Sequence, residues 1–341
     1  MQKIFKFIGI AIIVAIFLFA ATACDSLWED DPGSESYANS IFVAGGSYYA
    51  AGGYYNGNIY KACYWKDGTK KDLSVPSSAA SSYANSIFAE GGNVYIAGDY
   101  SVFAKDKACY WVNGSKTDLS EPAGTAYSYA NSIFVESGNI YIAGTCYDAS
   151  DNEQGCYWEN GARTNLDYGS YANSIFVTGG NIYVAGEYNA KACYWVNGLK
   201  TDLGGSYTKA SASSIFIEGT DIYIAGSYYN SSIYKACYWK NGAFIDLPVP
   251  AGVNESVATS IVSEGGSVYA AGYYYDNNGK KYKACYWENG THKALSVPSG
   301  SIESASYSIA VSGAVYVAGY YEDNSDYKAC YWKDGTRIDL P

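Results

Sequence analysis

Histidine is nearly missing from this chain: His292 is the only one in 341 residues. A Ser-His-Asp triad or a zinc site built on several histidines therefore has little to draw on. Methionine is absent beyond Met1, and proline occurs only seven times. The sequence contains no phosphate-binding glycine loop, no haem-attachment motif and no sialidase-type Asp box, and nothing in it calls for a cofactor. The acidic stretches 148–153, 276–281 and 322–326 offer oxygen ligands of the kind calcium takes. None has the full EF-hand spacing, and polar turn composition accounts for them without a metal. Basic residues are also few, 22 against 33 acidic ones. An acidic surface repels phosphate backbones, so nucleic acid is not an expected partner.

Tyrosine (39) and glycine (37) are abundant. The first 23 residues combine a basic start, Lys3 and Lys6, with an apolar run from Phe7 to Ala20 and then small residues. That layout is an export signal rather than part of the fold. It ends in Ala21-Thr22-Ala23-Cys24, which resembles the bacterial lipobox, and this resemblance implies acylation of Cys24. Residues 24–35 are acidic and read as a tether. The expected location is the outer side of a bacterial membrane, periplasmic or at the cell surface, held by N-terminal acyl chains.

From residue 36 onward the sequence repeats itself. "SYANSIF" stands at 36–42, 82–88, 128–134 and 170–176, with degenerate copies at 211–216, 257–262 and 306–310. "KACYW" or its variant "QGCYW" appears seven times, always followed by Asn-Gly or Asp-Gly. Runs such as "SIFV" and "NVYIAG" carry β-branched and aromatic residues without helical periodicity. Asn-Gly and Asp-Gly suit two-residue hairpins, because both central residues need positive φ. Four antiparallel strands in a unit of 40 to 48 residues, seven times over, predict an all-β, seven-bladed β-propeller across 36–341. Closure is expected from packing of blade one on blade seven without strand exchange. The unit resembles the bacterial seven-bladed propeller repeat of exported proteins, with a kelch-like layout, although the kelch double glycine survives only at Gly52-Gly53. Propellers host enzymes, binders and scaffolds alike, so the resemblance specifies fold and not activity.

Seven cysteines (Cys63, Cys109, Cys156, Cys193, Cys237, Cys285, Cys330) hold one place in each unit. Equivalent points on neighbouring blades are about 10 Å apart, too far for a disulfide, so these read as small buried packing residues. The hairpin register places Cys63 opposite Asp72 and leaves Lys61 diagonal to Asp72, an expected Lys–Asp pair that recurs in most units. Cys146 occurs in blade three only, and a disulfide to Cys156 across adjacent strands is open in an exported protein.

Variable connections emerge on one face of the ring, and function concentrates on such loops. If the first strand lines the axis, Tyr37, Asn39, Tyr83, Asn85, Tyr129, Asn131, Tyr171 and Asn173 surround that mouth as candidate ligand-binding residues. Tyrosine with Ser, Asn and Gly is the composition of adaptable recognition surfaces. The expected function is binding of a protein or glycan, with no catalytic residue assigned. Two alternatives stay open: a carbohydrate-active hydrolase or lyase using carboxylates near the mouth, and a purely structural envelope protein.

Overall fold

The computed structural model describes residues 35–103, 105–230, 233–323 and 326–341. The export signal and Cys24 lie outside the described residues. Blade one shows the plan of the rest. β1 (Ser36–Ala44), β2 (Ser47–Tyr55), β3 (Tyr60–Lys66) and β4 (Thr69–Asp72) pair in sequence order as one antiparallel sheet. Six further four-stranded sheets follow at 81–118, 125–168, 170–202, 209–246, 253–294 and 304–339. The chain is an all-β, seven-bladed propeller, with no helix among the described residues. Each blade draws its four strands from one continuous stretch, so no strand is exchanged between blades one and seven.

The turn between third and fourth strands is held by its own side chain. Asn113 (φ 51°) and Gly114 (φ 88°) occupy the positive-φ positions, and the Asn113 side-chain oxygen accepts the Val94 N–H at 2.9 Å. The equivalent Asn or Asp does the same in all seven blades. The register that follows is the expected one, with Cys63 opposite Asp72 and Cys109 opposite Asp118.

First strands of successive blades touch one another all the way round, including β1 with the first strand of blade seven, which makes them the innermost strands. Each carries a bulge at the "YAN" segment or its equivalent; in β1 the pairing steps from Ala38 to Ser40 and leaves Asn39 out of the ladder. The bulge pushes the Tyr37 carbonyl toward β2, where a Cβ on Gly52 would stand 1.9 Å from it. Only glycine tolerates that approach, which explains the repeated glycine of "IAG".

Blades join through two seven-membered sets of hydrogen bonds. The inner serine of each blade accepts the N–H of the residue after the next blade's serine, from Ile87 on Ser40 (3.2 Å) to Ile41 on Ser308 (3.1 Å). The tryptophan of each "CYW" reaches back to the preceding blade. Six indoles donate to a backbone carbonyl, as Trp111 does to Ser74 at 2.7 Å, and Trp195 donates to the Asp167 carboxylate. Between these sets lies the core. Ile96, Cys109 and Trp111 of blade two pack on Tyr49, Ala51, Ala62 and Leu73 of blade one. The seven repeat cysteines are fully buried, and burial is the leading cause that pushes their thiols above the ordinary range. Five phenylalanines, Phe42, Phe88, Phe134, Phe176 and Phe216, follow one another ring against ring along the inner strands at 4.4 to 5.1 Å.

The expected Lys–Asp diagonal does not form. Among the described residues, Lys61, Lys107, Lys191 and Lys235 make no ion pair with the aspartate diagonal to them, and in blade seven Lys328 pairs with Asp326 while Asp339 pairs with Arg337. The fourth-strand aspartates find partners on their own strand or on the second strand. Lys116 pairs with Asp118, Lys200 with Asp202 and Arg337 with Asp339, while Tyr54 and Tyr228 donate hydroxyls to Asp72 and Asp246. The fourth-strand cation also covers the second-strand tyrosine: Lys70 lies 4.1 Å from the Tyr54 ring centre, Lys116 4.3 Å from Tyr100, and Lys200 4.6 Å from Tyr188. An aspartate already engaged by its own strand's cation or by the second-strand tyrosine has less to gain from the longer diagonal.

Candidate functional site: the loop-bearing mouth

Connections between second and third strands, and between blades, leave the ring on the end where the inner strands begin. There the eight tyrosines and asparagines singled out from the sequence divide by role. Asn39, Asn85, Asn131 and Asn173 turn their amide N–H groups to the bulge carbonyl of the next blade, at Ala84, Ala130, Ala172 and Ala212, over 2.8 to 3.0 Å. In blade six Thr259 makes the same contact with Ser306 at 3.0 Å. Tyr37 and Tyr171 are buried, whereas Tyr83 and Tyr129 are half-buried.

The mouth is not seven-fold. In blades six, seven, one and two it is aromatic. Tyr273, Tyr282, Tyr307, Tyr320 and Tyr327 form successive ring contacts of 5.0 to 6.5 Å, and Tyr37, Tyr60 and Tyr83 continue the same cluster. Carboxylates tie these rings down: Tyr320 donates to Glu303 at 2.9 Å, and Tyr60 donates to Glu35. In blades three and four Tyr127, Tyr129, Tyr147 and Tyr171 form a second cluster at 4.6 to 6.3 Å, and blades two to four add carboxyl groups. Asp99, 5 % exposed, accepts a bond from Asn85 at 3.0 Å. Burial first, and the neighbouring Asp106 second, push its carboxyl up to about 8. Asp106 accepts the Tyr129 hydroxyl at 2.8 Å. Across the same blades, burial raises Glu187 to about 7, with Glu153 adding to the rise and Ser211 and Lys209 opposing it.

Asp99 and Glu187 were not among the candidates drawn from the sequence. Both directly follow the repeated glycine, a position held by Gly53, Asp99, Thr145, Glu187, Ser227, Tyr273 and Tyr320 in the seven blades. That position changes type in every blade but the last two, while the glycine before it stays constant and the residue after it is tyrosine in all blades but the third. The change is a signal legible in the repeats once they are stacked.

The remaining candidates take structural places. His292 is the second residue of its fourth strand and packs edge-on against Tyr274 (5.3 Å) and Trp287 (6.1 Å). Asp148 caps its own loop, accepting the N–H groups of Ser150 and Asn152 at 2.8 and 3.0 Å. Cys146 and Cys156 are not directly opposite one another. Cys146 faces Gln154 and Cys156 faces Gly144, so the pair is diagonal, with the sulfurs 3.9 Å apart and both thiols free.

Comparison of the sequence with protein-family models and with curated proteins gives no match. Solved structures do resemble the fold. The β-propeller domain of the Trilobed protease from Pyrococcus furiosus superposes with a TM-score of 0.51 at 12% identity, covering 90% of this chain and 98% of that domain. A puromycin-hydrolyzing peptidase from Mycobacterium tuberculosis gives 0.57 at 11% identity, covering 90% of this chain and 52% of that one. The Trypanosoma rangeli sialidase gives 0.53 at 11% identity, covering 75% and 55%. This chain spans about half the length of the peptidase and the sialidase. At these identities the likeness is one of fold.

Proposed function

We propose that the protein is a lipid-anchored receptor of the bacterial cell envelope that binds glycan at the loop-bearing mouth. The observation that carries this reading is a mouth that sets two tyrosine clusters beside carboxyl groups. Sugar rings present apolar C–H faces and a fringe of hydroxyls. Half-buried tyrosines offer flat surfaces with a polar rim at low entropic cost. Carboxyl, amide and serine groups accept and donate to hydroxyls. Acyl chains on Cys24 hold the propeller at the membrane, each buried methylene adding about 0.8 kcal/mol. The acidic tether spaces the two.

Asp99 beside Asp106 favours a second reading, hydrolysis of the bound glycan. A buried carboxyl whose ionisation is pushed upward, with a second carboxyl at hand, is the pairing that general-acid cleavage uses. One experiment separates the readings. Residues 25–341 are applied to a glycan array, and the same glycans are assayed for turnover. Binding that Tyr60→Ala and Tyr282→Ala each weaken about tenfold, without turnover, supports the receptor. Turnover abolished by Asp99→Asn with binding kept supports the hydrolase. Neither binding nor turnover overturns both and leaves a structural envelope protein. Membrane release of a Cys24→Ser variant tests the anchor.

A further inference from the structure

Six blades place an aromatic residue two positions after the repeated glycine: Tyr54, Tyr100, Tyr188, Tyr228, Tyr274 and Tyr321. Each is covered by the second residue of its fourth strand. In four blades the cover is a cation, as with Arg337, 4.4 Å from the Tyr321 ring centre. In blades five and six it is a ring, Phe244 at 5.0 Å from Tyr228 and His292 at 5.3 Å from Tyr274. Blade three keeps the cation, Arg163, and replaces the tyrosine by Cys146. The guanidinium then rests on sulfur, with Nη1 3.5 Å from the Cys146 Sγ. The Cys156 sulfur is 3.9 Å from the same atom.

We propose that Cys146 and Cys156 form a dithiol that peroxide oxidises to a reversible disulfide within blade three, with Arg163 as the positioning cation. This rests on blade three alone and is independent of what the mouth binds. The two sulfurs have distinct roles. Cys146 is 3% exposed and is the sulfur an oxidant reaches first, whereas Cys156 is fully buried. The Cys156 hydrogen bond and the Arg163 charge lower the Cys146 thiol, and burial raises Cys156. Glu121, whose charge acts against this lowering, is engaged by Lys105 at 2.8 Å and by the Ser128 hydroxyl at 2.6 Å.

The chemistry balances with hydrogen peroxide as the oxidant. The Cys146 thiolate attacks one peroxide oxygen, the O–O bond breaks, and the departing hydroxide takes a proton to leave as water. Cys146 is then a sulfenic acid. Cys156 attacks that sulfur, an S–S bond replaces the S–O bond, and the hydroxyl leaves with the Cys156 proton as a second water. Two thiols and one peroxide become one disulfide and two waters. The sulfurs must close from 3.9 Å to about 2 Å. The other six repeat cysteines have no second sulfur and stop short of this sequence.

The test treats folded residues 25–341 with hydrogen peroxide and follows each cysteine by mass spectrometry without reduction. The expected result is a linked peptide pair carrying Cys146 and Cys156, lighter by two hydrogens and separated again by a thiol reductant. Cys63, Cys109, Cys193, Cys237, Cys285 and Cys330 stay reduced. Cys156→Ser should drive Cys146 to the sulfinic state instead. Arg163→Gln should slow bridge formation about tenfold and move its pH dependence upward. Arg163→Lys, the residue that blades one, two and four carry at this place, should restore both. Cys146 remaining as unreactive as Cys109, or a rate and pH profile indifferent to Arg163→Gln, would overturn the proposal.

Discussion

Ile41 donates its N–H to the Ser308 hydroxyl across 3.1 Å, and this bond joins the first blade to the seventh. It is the same bond that joins the six other pairs of neighbours, so the seam is chemically one more blade contact. Trp65 adds its indole bond to the Pro341 carbonyl at 2.7 Å, again as elsewhere. The ring closes with no shared strand because each junction supplies its own hydrogen bonds and its own core. Ser308→Ala should therefore cost about 1 kcal/mol, the net worth of one such bond. Ser86→Ala, inside the ring, should cost the same to within about 0.5 kcal/mol. Urea titration of both variants checks this. A much larger loss for Ser308→Ala would mark the seam as the weak junction.

Gly98 faces the Tyr83 carbonyl, and a Cβ there would stand 2.0 Å away. The obstacle is backbone, and the bulge that places it is tied to blade three through Asn85. Gly98→Ala should therefore lower stability by about 3 to 5 kcal/mol, near the top of the range for single substitutions. Gly91→Ala, at a turn where a Cβ meets nothing within 4 Å but φ is +58°, should cost about 1 kcal/mol through strain alone. The difference between the two melting points separates collision from strain.

The blade count, the strand order and the hairpin register were legible because the repeated residues report them directly. Asn113 and Gly114 name the turn, and the turn fixes Cys109 opposite Asp118. The bulge was not legible, since "YAN" alternates like an ordinary strand and the irregularity becomes visible only where Gly52 meets Tyr37. The same bulge hides the role of the asparagines, whose amides turn sideways to the next blade. Asp99 and Glu187 escaped because attention to what repeats passes over the position that does not. Repeats reveal the scaffold, and the site is written where they break.

Lys70 lies over Tyr54, and Lys61 stands beside Asp72 without pairing to it. Replacing each lysine by methionine keeps the stem and removes the charge. Lys70→Met should cost about 0.5 to 1 kcal/mol, the range of a surface cation–π contact. Lys61→Met should cost less than about 0.5 kcal/mol. Denaturant melts of the two variants distinguish the contact observed from the diagonal pair that the register alone suggests. Equal losses would count against the cation–π assignment.

Asp99 makes the fold sensitive to pH in a direction opposite to most aspartates. Its carboxyl is raised from 3.8 to about 8, chiefly by burial. Between those values the folded state holds a proton that the unfolded state has lost. Stability therefore falls as pH rises through this window, and the loss is complete above the folded value. Glu187 acts in the same sense between 4.5 and about 7. Asp99→Asn keeps an acceptor for the Asn85 amide and removes the titration. The variant should match the parent near pH 4 and exceed it in melting temperature by pH 9, with Glu187→Gln giving a smaller gain that saturates earlier. Melts from pH 4 to 9 read both. Parallel curves for parent and Asp99→Asn would mean that Asp99 ionises at its ordinary pH in the folded mouth, and the general-acid reading of the Asp99 and Asp106 pair would fall with it.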